Sequence, residues 1–167
     1  MATKTNFSSN EWEVLRDTPH LVALAVAAAG SSGIFGSIAE AIAPSGTFIE
    51  ALKGSNQLLR EVCAKEEIKA SIESIKSLAK TNNDFTEIQT ALRKEATDKS
   101  RAALALLRQK GSPEDIAAYS DFLIKLGDKV ANAAKEGAFL GFGGERVSEH
   151  ERTLLAELAE AIGALQA

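Results

Sequence analysis

Apolar residues recur every three or four positions along most of the chain, which is the spacing of amphipathic α-helices. No stretch alternates apolar and polar residues with the period of two that a half-buried strand shows. The two clearest helical patterns are formed by Ile68, Ile72, Ile75 and Leu78, and by Ile116, Tyr119, Leu123, Leu126, Val130 and Ala133. The chain is therefore predicted to be an all-α, single-domain bundle of about seven to eight helices.

Serine residues followed three positions later by glutamate mark two helix starts. Ser8 with Glu11 and Ser148 with Glu151 have the spacing of a capping box, in which each side chain accepts a hydrogen bond from the other residue's backbone amide. Helices are therefore expected to begin just after Ser8 and just after Ser148.

Pro19 interrupts the first apolar run, and proline is favoured at the first position of a helix because its missing amide is not needed there. Thr18 precedes it and is a suitable N-cap. We therefore expect a first helix that ends near Asp17 and a second helix that begins at Pro19 and extends to Ala29.

Two glycine turns have related sequences. Segments 26–35 and 130–139 share the pattern Val-Ala-x-Ala-x-x-x-Gly-x-Phe, either by internal duplication or because alanine-rich helix ends resemble one another. The pattern predicts two glycine-rich helical hairpins, with Gly33 and Gly137 ending their helices at positive φ. Phe35 and Phe139 are expected to fold back into one shared core.

The segment from Leu21 to Ala39 carries no charged side chain, so a membrane span has to be considered. Gly30-Ser31-Ser32-Gly33 divides this segment into two pieces, each too short to cross a bilayer. The other helices are amphipathic. These features favour a buried helical hairpin, with peripheral membrane association as the alternative.

Composition narrows the function classes. The chain has 167 residues, enough for one domain over residues 1–167 with a continuous core, and a net charge of −4 without a basic stripe. Nucleic-acid binding is not expected, because it depends on concentrated basic charge. The single cysteine, Cys63, forms no intrachain disulfide and lies at an apolar helical position, which favours a reducing, cytoplasmic compartment.

Known catalytic and metal-binding patterns are not apparent in the sequence. Its two histidines, His20 and His150, do not follow glutamate with the Glu-x-x-His spacing of carboxylate-bridged metal sites in helical bundles. No Gly-x-Ser-x-Gly motif marks a nucleophilic serine. We therefore predict no metal, no cofactor and no catalytic residue, and favour a non-enzymatic protein.

A glycine-rich loop before the last helix is the strongest candidate for a ligand site, because helix N-termini bind anions through free amides. No phosphate-binding Gly-Lys-Ser/Thr follows it, so a tight structural turn is the alternative. The candidate ligand-binding residues, with the two histidines, are Gly141, Gly143, Gly144, Arg146, His20 and His150.

The stretch from Lys135 through Gly144 and Val147-Ser148-Glu149, together with Pro19-His20-Leu21-Val22, resembles a family of bacterial all-helical proteins without an assigned activity. The Val-Ser-x-x-Glu helix start also resembles that of tellurite-resistance B domains. The acidic metal-binding positions of those domains have no counterpart in this sequence. The resemblance implies an all-helical fold and no particular reaction.

Three functions remain open from the sequence. The favoured one is a cytoplasmic protein that binds a protein partner or forms a homo-oligomer such as a dimer. The second is a small-ligand binder or enzyme with a pocket near the glycine hairpins. The third is a peripheral membrane protein that uses the 21–39 hairpin.

Overall fold

The computed structural model describes residues 1–30, 46–79, 85–137 and 148–163, with the backbone alone described for 77–79, 85 and 133–137. These residues form seven α-helices and one 3-10 helix, and none of them is in a strand. The 3-10 helix spans Lys4–Asn6. The α-helices are α1 (Ser9–Gly30), α2 (Gly46–Lys53), α3 (Gln57–Val62), α4 (Lys65–Ala79), α5 (Phe85–Lys110), α6 (Pro113–Gly137) and α7 (Glu149–Gly163). The prediction of an all-α bundle is confirmed.

Helix α1 is the central helix of the bundle and contacts α4, α5, α6 and α7. The middle of this helix is buried on all sides: every residue from Leu21 to Val26 is at most 3% exposed, and Ala28 is 1% exposed. A helix that is apolar all round is stable in water only when other helices cover it. This burial accounts for the absence of charged side chains in this part of α1. None of the described helices is both long enough and apolar enough to cross a bilayer, and residues 31–39 lie outside the described residues.

The expectation of two separate helices meeting at Pro19 is wrong. Helix α1 continues through Pro19 without interruption. Proline has no N–H, so the carbonyl of Leu15, four residues earlier, loses its usual helical donor. The hydroxyl of Tyr119 on α6 donates to that carbonyl at 2.7 Å, and Tyr119 is fully buried. A partner from another helix thus replaces the bond that the proline removes.

Asp115 ties three parts of the chain together at the start of α6. Its carboxylate accepts hydrogen bonds from the backbone N–H of Ala2 at 2.7 Å, from Asn56 Nδ2 at 3.0 Å and from Ser112 N and Oγ at 3.0 Å. Burial acts to raise the pKa of Asp115, but these hydrogen bonds lower it on balance. Because Asn56 is also the N-cap of α3, one buried carboxylate positions the N-terminal segment, α3 and α6.

Several sequence predictions concern helix ends. The Ser8–Glu11 capping box is confirmed, since Ser8 N donates to Glu11 Oε2 at 2.7 Å and Glu11 N to Ser8 Oγ at 3.4 Å. Helix α6 ends, as described, at Gly137. The hairpin residues Gly33, Phe35 and Phe139 lie outside the described residues, and the positive φ at Gly137 stays a prediction.

Helices α1, α6 and α7 approach closely at Gly127. A Cβ atom at Gly127 would lie 3.0 Å from Leu155 Cδ2 on α7 and 3.9 Å from methyl carbons of Val22 and Val26 on α1. The absence of a side chain at this buried position therefore allows the three helices to pack tightly.

We expect Gly127→Leu to lower the free energy of unfolding by about 1 to 3 kcal/mol, because the added side chain overpacks the crossing. Gly163→Leu is the matched control, since a Cβ atom there meets nothing within 4 Å. The measurement is urea unfolding followed by circular dichroism. Equal stability of the two variants would show that the helices separate easily at Gly127.

Candidate functional site

A large cavity lies where the end of α1, the first half of α5 and the start of α7 meet. Its volume is about 610 Å³. Its described lining residues are Ala25, Ala29, Gly30, Thr86, Gln89, Thr90, Arg93, Ser148, His150 and Leu154. This lining combines small apolar groups with hydroxyl, amide, imidazole and guanidinium groups, a mixture typical of small-molecule sites.

The start of α7 is positioned by the predicted capping box, which is confirmed. Ser148 donates from its backbone N at 2.7 Å and from Oγ at 2.9 Å to Glu151 Oε2, and Glu151 N donates to Ser148 Oγ at 3.2 Å. These bonds satisfy amides that a helix N-terminus leaves without helical partners. They also fix the first turn of α7, on which the exposed His150 faces the cavity.

Gly30 permits the close approach of α1 to this capping box. A Cβ atom at Gly30 would lie 2.8 Å from Glu151 Cδ and closer still to Glu151 Oε1. Glu151 is only 4% exposed, and its Oε1 atom has no hydrogen-bond partner among the described residues. A glycine at the end of α1 therefore leaves room for a buried carboxylate beside the cavity wall.

The α5 wall of the cavity is joined to both other helices. Gln89 Nε2 donates to the backbone carbonyl of Ala28 on α1. Arg93 forms a two-bond ion pair with Glu157 on α7, in which Nε lies 2.7 Å from Oε2. The hydrogen bond with Glu157 raises the pKa of Arg93, and Arg93 lowers that of Glu157. Both side chains are about 40% exposed, so the pair contributes little to the stability of the fold. We assign it the role of positioning α5 relative to α7.

Arg93 and Thr90 also line a second cavity of about 560 Å³ between α5 and α7. The other residues of this second cavity are Lys94, Thr97, Asp98, Arg101, Glu157 and Glu160. It is more strongly charged than the first, and its cations face carboxylates. Arg93 therefore lies at the boundary between the mainly uncharged first cavity and the charged second cavity.

The structure places the six predicted ligand-binding residues in different environments or does not describe them. His150 lines the large cavity. His20 does not line either of the two cavities described above and is instead buried at 1% exposure. Gly141, Gly143, Gly144 and Arg146 lie outside the described residues, so their participation stays a prediction.

The buried ring of His20 packs against an aromatic ring of α2. Its ring centroid lies 4.7 Å from that of Phe48 on α2, and Phe48 in turn contacts Phe122 on α6 edge to face at 5.4 Å. Neither ring nitrogen of His20 forms a well-aligned hydrogen bond among the described residues, although the Arg16 carbonyl lies near enough to act on the ring. Burial lowers the pKa of His20 to about 4, and the Arg16 carbonyl and Asp17 oppose this only in part.

The remaining candidate chemistries are a reactive thiol at Cys63 and a metal site. Cys63 is buried at 1% exposure, as its apolar setting predicted, and burial raises the pKa of its thiol to about 12. In the part of the chain that the structure describes, no three His, Cys, Asp or Glu side chains are grouped as metal ligands would be. The sequence prediction of no metal or cofactor stays a prediction that elemental analysis can test.

Comparison with known proteins gives no family to which the chain can be assigned. No protein-family model, curated protein sequence or solved structure matches it significantly. Any function therefore has to be argued from the residues themselves.

Sequence reasoning missed most of the cavity. Gln89, Thr90 and Arg93 occupy one face of α5 that reads as an ordinary solvated helix surface, and Gly30 reads only as a turn residue. The one available signal was the uncharged run that ends at Gly30, which predicts a buried helix but does not reveal which helix ends meet there.

We expect Ser148→Ala to lower the free energy of unfolding by about 1 kcal/mol, because it removes the cap of α7. Thr153→Ala is the control: Thr153 is exposed, and its hydroxyl bonds only the Glu149 carbonyl of the same helix. Urea unfolding of both variants measures the difference. A Ser148→Ala variant as stable as wild type would mean that the capping box does not fix this wall of the cavity.

Proposed function

We propose that this protein binds a small molecule in the cavity between α1, α5 and α7. The observation that carries the proposal is the size and lining of this cavity. A volume of about 610 Å³ falls within the range of about 300 to 1,000 Å³ that is usual for small-molecule sites. Three helices supply the described walls, so the site stands on the packed framework of the bundle.

The lining favours a ligand with an apolar part and an uncharged polar part. Ala25, Ala29 and Leu154 offer apolar contact. Gln89 and Thr90 belong to the α5 wall, and Ser148 and His150 to the start of α7. The charge of Arg93 is already matched by Glu157, so the described cavity does not present a concentrated charge of either sign.

Association with another protein, or with a second copy of the chain, is the second candidate function. Large apolar side chains are exposed on adjacent helices: Ile49 at 47% and Leu52 at 46% on α2, and Ile124 at 41% on α6. Helices α2 and α6 are also joined by an ion pair between Glu50 and Lys129 at 3.0 Å. Sedimentation equilibrium tests self-association, since a mass that stays monomeric over a wide concentration range would contradict it.

The cytoplasm is the location we propose for either function. The support is the single cysteine, Cys63, which is free and buried.

The ligand proposal predicts that gently purified protein retains a small molecule in native mass spectrometry, or that compounds in a metabolite panel raise its melting temperature. Ala29→Leu is expected to abolish the bound mass or the thermal shift, because the larger side chain occupies the cavity. Ala117→Leu, the same change on the exposed face of α6, is the control and is expected to retain binding.

Two results would contradict the ligand proposal. One is a panel in which no compound binds wild-type protein and no small molecule is retained. The other is binding that Ala29→Leu and Ala117→Leu leave equally intact while both remain folded, since the ligand would then occupy another place.

A further inference from the structure

Helix α2 is held to the bundle by few buried side chains. It has eight residues, and its buried residues are Thr47 and Phe48. Phe48 is 3% exposed and is the larger of the two, whereas Ile49 and Leu52 face solvent. Helix α2 packs against α3 and α6, and its Phe48 ring also lies against His20 of α1. The attachment of α2 to α1 therefore depends strongly on what surrounds the Phe48 ring.

The Phe48 ring lies between His20 of α1 and Phe122 of α6. His20 is a titratable group placed where an apolar ring would normally lie. Its neutral form packs against Phe48 as an aromatic ring. Its charged form would be buried with neither N–H group in a well-formed hydrogen bond among the described residues, since the nearby Arg16 carbonyl offsets the effect of burial only in part.

We propose that the His20–Phe48 contact is an acid-sensitive latch, which holds α2 in place while His20 is neutral and releases α2 when His20 is protonated. Displacement of α2 would expose His20 to water, which can then solvate the charge. This inference does not depend on a ligand in the cavity.

The charges around His20 do not compensate for its protonation. Asp17 is the carboxylate that acts on the ring, but it already accepts hydrogen bonds from Arg16 at 2.7 and 3.1 Å and from Ser74 at 3.0 Å. Arg16 itself opposes a positive charge on His20.

The charged groups of the packed helices α2 and α6 lie outside this contact. Glu50 of α2 pairs with Lys129 of α6, and both are largely exposed. Lys53 of α2 is exposed as well, and so are the nearest charged α6 residues before and after Phe122, which are Asp121 and Lys125. Two states of α2 therefore differ in the proton affinity of His20: a closed state, in which α2 is in place, and an open state, in which α2 is displaced.

The size of the effect follows from the two pKa values. The closed state has a His20 pKa of about 4, and the open state has the ordinary value of about 6.5. Linkage favours the open state as pH falls below about 6.5, and the effect is complete below about 4. The opening equilibrium of α2 is expected to rise about 30-fold between pH 8 and pH 5.

Hydrogen exchange measured by mass spectrometry tests the latch, with rates corrected for the intrinsic pH dependence of exchange. The peptide covering 46–53 is expected to open about 30-fold more at pH 5 than at pH 8, whereas a peptide covering 119–126 in the core of α6 changes little. His20→Phe keeps an aromatic ring against Phe48 and is expected to abolish the pH response. His150→Gln alters the exposed histidine and is expected to preserve it.

Three outcomes would overturn the latch. The first is an α2 peptide in wild-type protein that opens equally at both pH values, and this result decides the matter even if His20→Phe does not fold. The second is parallel opening of the α2 and α6 peptides, which would mean global acid unfolding. The third is a pH response that persists in His20→Phe.

Discussion

The hydrogen bond from Tyr119 to the carbonyl of Leu15 is the interaction on which the rest of the bundle depends. It exists because Pro19 lies inside α1 and cannot donate the usual helical bond to that carbonyl. Leu15 and Tyr119 are both 0% exposed, so water does not replace the donor. Burial raises the pKa of the Tyr119 phenol, which keeps the hydroxyl protonated as a donor. An unmet backbone acceptor in a core costs about 1 to 3 kcal/mol, which makes this bond a constraint on how α1 and α6 align.

The alignment of α1 determines both features to which we assign a role. His20, directly after Pro19, packs against Phe48 and so places a titratable ring under α2. Gly30, at the end of the same helix, lies against Glu151 and borders the cavity. A rotation or shift of α1 would move both residues together. Ligand binding at one end of the helix and acid sensitivity in its middle thus depend on one packing arrangement.

Features that depend on interactions between residues close together in the sequence could be predicted from the sequence. The all-α class followed from apolar periodicity, and the capping boxes at Ser8 and Ser148 followed from single side chains that bond nearby amides. The break expected at Pro19 was wrong because the propensity of proline for a helix start was overridden by tertiary packing, which supplied Tyr119 as a donor for Leu15. No local pattern indicates that a tyrosine so distant in sequence performs this task.

Tertiary packing likewise explains why the candidate site was predicted only in part. His150 was recognised as a polar group near the last helix start, but Arg93 and Gln89 reach the cavity only because α5 packs beside α1 and α7. His20 was grouped with His150 although its ring is buried against Phe48. The role of Gly127 could not be predicted, because a single glycine within a helix carries no local signal of a three-helix crossing.

The most direct measurement of the central claim is a double-mutant cycle between Tyr119→Phe and Pro19→Ala, with the free energy of unfolding obtained from urea titrations. In the presence of Pro19, Tyr119→Phe is expected to cost about 1 to 3 kcal/mol, because the Leu15 carbonyl loses its donor. In the Pro19→Ala background, the new amide can donate to that carbonyl, so Tyr119→Phe is expected to cost at least about 1 kcal/mol less. An equal cost of Tyr119→Phe in both backgrounds would show that the hydroxyl does not replace the bond that Pro19 removes, and would contradict the account.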